Sequence, residues 1–493
     1  MGKSLQAAKA LRHLRRAPWP WPAVLGTGAQ FLAVAAVLGA WLAPPPVGLT
    51  PAAARALALL LAALTFWSLG SVPAGLTSAA LLLAIPLLGI LEFDEAVASL
   101  GQPFIWLLLA TFIMARAVDQ VRLGKRIALG LLGLTGGRSA YCLLAVLVAP
   151  LLLCFILPTS SGRAALMAPI CDAVVRTIRS APGGDAAGGY RRLARAMFVG
   201  LAFTSVISGV VVMTGSSAAV YAAGVFQELT GERLDYVRWL LAFLPLGIVF
   251  VALLWIGLLL LEPPETRLLA GGSEHIRRAH KELGRPSAAE LRVLAWVSCV
   301  VLGWVTEPYH GLSVPMVALL GAVGLTLPRL GVLTWNEAVG SMSWDIAIQF
   351  AAGFTLAMAL NRSGAATWLA GALARLYEQP GPLGAALFVL AIMAVARTAF
   401  VNTISVMATM LPIVVQFAAT WHMNPGWLAL FAIVGTTFSF FFLSQAPTNG
   451  ITYMYGHYTT KDLMKAGLVA LLLMMAIAVV LGMVWWPAIG FKP

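Results

Sequence analysis

The stretch LPTSSGRAALMAPI, Leu157 to Ile170, sits in the middle of an apolar run covering residues 140–178. That run is long enough to cross a bilayer twice at roughly 20 residues per crossing, yet it is polar where a second crossing would begin. Pro158 stops the incoming helix. Thr159, Ser160 and Ser161 are the residue types that cap a new helix start. The reading is a re-entrant hairpin whose returning helix begins inside the membrane. Unpaired backbone N–H groups and the positive end of the helix dipole at such a start attract anions. Arg163, one turn further on, adds a charge that costs several kcal/mol at that depth and needs a partner. An ordinary cap between packed helices is the bland alternative for the tip, and a structural ion pair or snorkelling to the cytoplasm is the alternative for the arginine.

Outward from this tip the chain is apolar almost throughout. Of 493 residues, 60% are hydrophobic and only 10% charged, too little charge to cover the surface of soluble domains this large. Spanning helices are expected near 24–43, 54–70, 72–92, 104–121, 194–226, 238–261, 291–306, 313–328, 346–374, 427–455 and 466–487, with a second hairpin over 382–419. The fold class is therefore all-α and polytopic, with about eleven transmembrane helices plus two re-entrant hairpins. The first apolar run is read as a retained helix, not a cleaved signal.

The net charge of +13 fits topology better than nucleic acid, because the basic residues cluster in short loops. With the basic N-terminus (1–20) cytoplasmic, almost all loop arginines and lysines fall inside. Only Arg233, Arg238, Arg362, Arg375 and Lys492 fall outside. A polar linker, 263–290, divides a first repeat (21–262) from a second (291–493). Each repeat holds a hairpin (140–178; 382–419) followed by a broken helix (194–226; 427–455). An odd number of crossings before the second hairpin makes the repeat inverted, the arrangement that points to a transporter site.

The second tip, ARTAFVNTISVMATMLPI (Ala396 to Ile413), offers Asn402 and Thr403 as caps with Arg397 close by. Two arginines, one per repeat, suit a dianion; Arg397 reaching the outer surface is the alternative. The broken helices read SGVVVMTGSSAAVY (Ser208 to Tyr221) and LSQAPTNGITYMYG (Leu443 to Gly456). Their glycines and prolines can free backbone carbonyls for a small cation, with Ser444, Gln445, Thr448 and Asn449 adding polar side chains. Four cysteines without a CxxC pair and six scattered histidines give neither a disulfide framework nor a metal-ligand set. No acid/base pair or nucleophile motif supports an enzyme.

These motifs resemble the divalent anion:sodium symporter (DASS) family, the solute carrier family 13 type, over nearly the whole chain after about residue 50. LPTSSGRAALMAPI and FVNTISVMATMLPI are similar to its two hairpin tips, and APTNGITYMYGHYTTKDLMKAG to its last broken helix. The resemblance implies an elevator-type homodimer in the plasma (inner) membrane, carrying dicarboxylates, citrate or sulfate. Its site would comprise Thr159, Ser160, Ser161, Arg163, Arg397, Asn402, Thr403 and Pro447. Sodium would sit at Ser160, Gly209 and Gly215, and at Asn402, Gln445 and Asn449. Its partners would be the small anion, membrane lipid and a second copy. The chain departs from the pattern at the first tip, where Thr159-Ser160-Ser161 stands for Ser-Asn-Thr, and at Ala218-Ala219 and Val401. Arg163 is then expected to stand in for a bound cation. Cation-coupled transport, sodium-independent exchange and proton coupling stay open, as does a non-transporting anion sensor.

Overall fold

The computed structural model describes residues 20–45, 48–69, 72–180, 190–269, 272–375, 377, 380–399 and 403–493. Asn402 and Val401 of the second tip, and most of the basic N-terminus, lie outside the described residues. The rest is helical, with one isolated bridge between Arg138 and Leu268. Among the described residues seven helices are long and apolar enough to cross a membrane, or eight if Trp335–Ser341 and Trp344–Arg362, bent by 51°, form one span. Six further apolar helices are shorter, at 10–17 residues.

The short helices are where the polar breaks fall. The first hairpin consists of Ser139–Leu153 and Ser160–Ser180, packed on each other across a six-residue turn. The second pairs Pro382–Ala399 with Thr403–Trp421. The two broken spans are Arg191–Val211 with Ser217–Thr230, and Pro425–Gly435 with Pro447–Tyr453. Both breaks are shifted from the expected ones. The first helix runs on through Ser208 and Gly209 to Val211, because Ser208 Oγ folds back onto the Ser205 carbonyl instead of ending the helix. The second opens early, at Thr436, so that Gln445 belongs to the break while Asn449 lies inside the following helix.

Three other features depart from the sequence reading. The expected span 346–374 divides at Gly364, whose φ of 80° is left-handed, into Trp344–Arg362 and Ala365–Ala374. The basic segment after residue 121 is the helix Leu123–Gly133, and the linker contains the helix Gly272–Glu282 packed against it. Arg126 fastens the two by bonding the Leu283 and Gly284 carbonyls and pairing with Glu290 at 3.0 Å.

Burial separates inner from outer helices. Arg191–Val211 is almost wholly enclosed, whereas Tyr236–Leu261 and Thr460–Ala488 are more apolar and only a third buried. Side chains such as Leu260, Leu472 and Val484 stand exposed on them. A large apolar surface of this kind is stable against lipid, not water. The enclosed helix brings the first hairpin against the second half: its neighbours are both arms of that hairpin and Pro447–Tyr453.

Candidate functional site

The returning arm of the first hairpin starts at Ser160, and the cap is Thr159, whose Oγ1 accepts the Gly162 N–H at 3.2 Å. A side chain at Gly162 would collide with that hydroxyl, its Cβ lying 2.4 Å away. The sequence Thr-Ser-Ser-Gly thus builds a tight helix start. The first broken span makes another: Ser216 Oγ accepts from the Ala219 N–H, and bonds back to the Gly209 carbonyl at 2.9 Å. Gly209 lets the span approach the tip, since a Cβ there would sit 2.8 Å from Ser160 Oγ and 3.2 Å from Arg163 Nη2.

These starts meet the start of Thr403–Trp421 at one cavity of about 370 Å³. Thr159, Ser160, Ser161, Gly209, Ser216 and Ser217 line it from the first half. Thr403, Met407, Thr436, Thr437 and Pro447 line it from the second. Ile346 and Gln349, from Trp344–Arg362, close a side. The N-termini of three helices, each of fourteen residues or more, therefore face one space from both halves of the chain. Their dipoles favour an anion there.

Neither arginine lines this space. Arg163 and Arg397 are both fully buried behind the tips. Arg163 is held by neutral oxygens: Nη1 donates to the carbonyls of Leu157 and Gly215 (2.7 Å to the latter), and Nη2 to the Ser205 carbonyl at 3.0 Å and Ser160 Oγ at 3.1 Å. It forms no ion pair with a carboxylate among the described residues. Arg397 has a matching set. Nε donates to the Thr436 carbonyl at 3.0 Å, and Nη2 to the Gln445 carbonyl and to Thr403 Oγ1 at 3.3 Å. In each half a guanidinium bonds one carbonyl of the first helix of the broken span or its cap, one carbonyl of the break, and the hydroxyl of the first residue of the returning arm. The two arginines enter from different arms, Arg163 from the returning one and Arg397 from the incoming one.

This geometry alters the sequence reading in two respects. The bidentate contact expected from Arg163 to a substrate carboxylate is replaced by contacts to the chain, with Ser160 and Thr403 standing between the guanidinium groups and the cavity. Most of the groups expected to hold sodium are engaged otherwise, but Asn402 lies outside the described residues and Asn449 Oδ1 is buried with no hydrogen-bond partner among them. Ser160 Oγ and the Gly215 carbonyl face Arg163, the Gly209 carbonyl accepts from Ser216, and the Gln445 carbonyl faces Arg397. The Gln445 amide oxygen accepts the Phe441 and Phe442 N–H groups, and Asn449 Nδ2 donates to the Ser439 and Phe442 carbonyls, so both side chains hold the break in shape. Sequence reasoning missed Ser216, Ser217, Thr437 and Gln349. The Gly-Ser-Ser of residues 215–217 carried a capping signal; Gln349, one amide in an apolar helix, carried none.

The chain as a whole has counterparts among known proteins. The chain is 24% identical to the sodium-dependent dicarboxylate transporter SdcS of Staphylococcus saprophyticus, over 88% of this chain and 86% of that one. It is 24% identical to the L-tartrate/succinate antiporter of Escherichia coli, over 80% of each. The crystal structure of the YdaH transporter of Alcanivorax borkumensis shares the fold at a TM-score of 0.56 and 15% identity, covering 85% of this chain and 99% of that one. Sequence similarity to the family described as the sodium:sulfate symporter transmembrane region runs from residue 27 to residue 491, through both hairpins and both broken spans. With its helix starts gathered on one cavity and its matched arginines behind them, this chain is an integral membrane transporter and belongs to that family.

Proposed function

We propose that the chain exchanges small dianions, dicarboxylates first among them, across the membrane without sodium. The observation that carries this reading is the pair of buried guanidinium groups, each in a ring of neutral chain oxygens where hairpin meets broken span. Freed carbonyls at such breaks are what holds a coupling cation in transporters. Here a permanent side-chain charge fills both rings and polarises Ser160 and Thr403 toward the cavity. Two charges, one behind each hairpin tip, suit the two ends of a dicarboxylate. Thr159, Ser161 and Pro447 would complete the binding surface, with Asn402 as the remaining tip residue.

Exchange follows from electrostatics. A bound dianion neutralises the two guanidinium groups. An empty cavity withholds the anion's charge from them in a medium of low dielectric constant, at a cost of several kcal/mol. The loaded carrier therefore reorients more easily than the empty one. The relatives include an antiporter as well as a sodium-dependent transporter. In the same reading the two repeats are inverted, and the hairpins and broken spans move as an elevator. The scaffold helices within 50–120 and 291–375 join a homodimer in the plasma membrane, with a cytoplasmic N-terminus.

The test is counterflow. Proteoliposomes loaded with unlabelled succinate take up labelled succinate at a rate independent of sodium and of a proton gradient, and empty ones do not. Malate, tartrate, citrate and sulfate are compared in the same assay. Steep sodium dependence sinks the proposal, and binding without counterflow leaves an anion sensor.

A further inference from the structure

A groove of about 970 Å³ lies away from the cavity, where Pro103–Gln120, Ala288–Val305 and Val314–Thr326 end near one another. Three arginines line it, Arg122, Arg292 and Arg329, and no carboxylate does. Arg292 builds the rim: Nη1 donates to the Arg329 and Gly331 carbonyls at 2.8 and 3.1 Å. The side chains of Arg122 and Arg329 make no hydrogen bond or ion pair among the described residues. Both residues have left-handed backbones, with φ of 57° and 73°, which non-glycine residues rarely adopt. Such conformations persist where surrounding structure enforces them and gather at ligand sites. Of the acids that flank it in sequence, Glu290 is committed to Arg126 and Glu337 to the Thr334 cap, while Asp119 stands beside Gln120 without lining the groove.

We infer that this groove binds the phosphodiester headgroup of an anionic membrane lipid. The unpaired guanidinium groups supply charge-assisted, forked donors suited to phosphate. The apolar surface beside them distinguishes a lipid from free phosphate. Leu327, Leu330 and Trp335 stand exposed at the groove, and Leu320 and Val323 continue an exposed apolar face along Val314–Thr326. Acyl chains can lie on that face while the headgroup meets the arginines. Basic pockets between membrane helices recognise lipid headgroups in this manner, and tryptophan favours the same depth. A second copy of the chain would bring an equally basic groove, so the homodimer proposed above would meet on other faces of the scaffold helices and leave this groove to lipid. The inference does not rest on the transport reading.

The full-length protein in neutral detergent is titrated with dioctanoyl phosphatidylglycerol, dioctanoyl phosphatidylcholine, glycerol 3-phosphate and inorganic phosphate, and the unfolding midpoint is followed. Phosphatidylglycerol alone raises the midpoint. The double variant Arg122→Gln/Arg329→Gln keeps the lipid-free midpoint and binds phosphatidylglycerol about thirty-fold more weakly, as loss of two surface guanidinium contacts implies. An equal response of the double variant overturns the site. An equal response to inorganic phosphate overturns the lipid. Native mass spectrometry of lipid retained from the membrane provides a second readout, in which the double variant retains less phosphatidylglycerol; undiminished retention overturns the proposal.

Discussion

The carbonyl of Gly215 accepts from Arg163 Nη1 at 2.7 Å while the N–H of the same residue donates to the Val212 carbonyl at 2.8 Å. The glycine is thus both the turn of the broken span and a ligand of the buried charge. A Cβ at this position would stand about equally close to three carbonyls, those of Ser208, Val212 and Gly209, at 3.0–3.1 Å. The site is a nest of acceptors built around a cation that is covalently attached.

Arg163→Ala should therefore create a sodium requirement. Removing the guanidinium leaves the Leu157 and Gly215 carbonyls and Ser160 Oγ without that donor, while the Ser205 carbonyl keeps the Ser208 hydroxyl, at roughly 1–3 kcal/mol for each buried acceptor left unpaired. Transport is expected to vanish in potassium buffer and to return in part in high sodium. Arg163→Lys should be intermediate in potassium, because an ammonium supplies charge but not the fork. Counterflow measured in paired buffers decides it; an alanine variant active without sodium defeats the substitution idea.

Gly209→Ala places a methyl group 2.8 Å from Ser160 Oγ and 3.1 Å from Ser216 Cβ, both in the cavity wall. Overpacking of this kind costs about 1–3 kcal/mol, so substrate affinity should fall about ten-fold or more. Gly340→Ala, which meets nothing within 4 Å, is the control and should bind as the native protein does. Equal affinities for the two variants would show that the approach of span to tip is unimportant.

Thr159 and Gly162 form one unit. Thr159→Ala removes the cap, at about 1 kcal/mol. Gly162→Ala drives a methyl into the same hydroxyl and should also lower the melting temperature. Once Thr159 is alanine the obstruction is gone, and the second change should be neutral or stabilising by up to about 1 kcal/mol, as alanine outranks glycine in a helix. Additive losses in the double-mutant cycle would refute the coupling.

Gln349 lines the cavity from Trp344–Arg362, outside the hairpins and broken spans, and its Nε2 donates to Ser405 Oγ at 3.3 Å. Gln349→Glu should weaken dianion binding by at least about ten-fold through like-charge repulsion in a partly buried space, and acidification should relieve the loss as the new carboxylate protonates. Gln349→Leu should cost less and show no such pH dependence. Isothermal titration with succinate at two pH values tests both.

Much of this site was written in local chemistry. Pro158 and the Thr-Ser-Ser triplet marked the first break and its cap, because helix termination and capping depend on neighbours in sequence. The direction of Arg163 was not legible. Its side chain can reach the cavity, the surface or the interior with equal ease, and only the fold places the carbonyls of Ser205 and Gly215 beside it. The role of Gln445 was not legible either, because an amide oxygen looks alike in sequence whether it meets a cation or, as here, the Phe441 and Phe442 N–H groups. The division at Gly364 carries a polar turn signal in Asn361-Arg362-Ser363-Gly364, which a reading of 346–374 as one span passes over.

On the proposed elevator exchange, the fixed arginines would also make the carrier a voltage sensor of a particular kind. If the tips move across the bilayer, a cavity holding a dianion travels with no net charge, whereas an empty one carries two positive charges with it. Each charge crossing the whole field is worth about 2.3 kcal/mol per 100 mV. A membrane negative inside would then draw vacant sites toward the cytoplasm and hold them there, while leaving exchange of full sites indifferent to the potential.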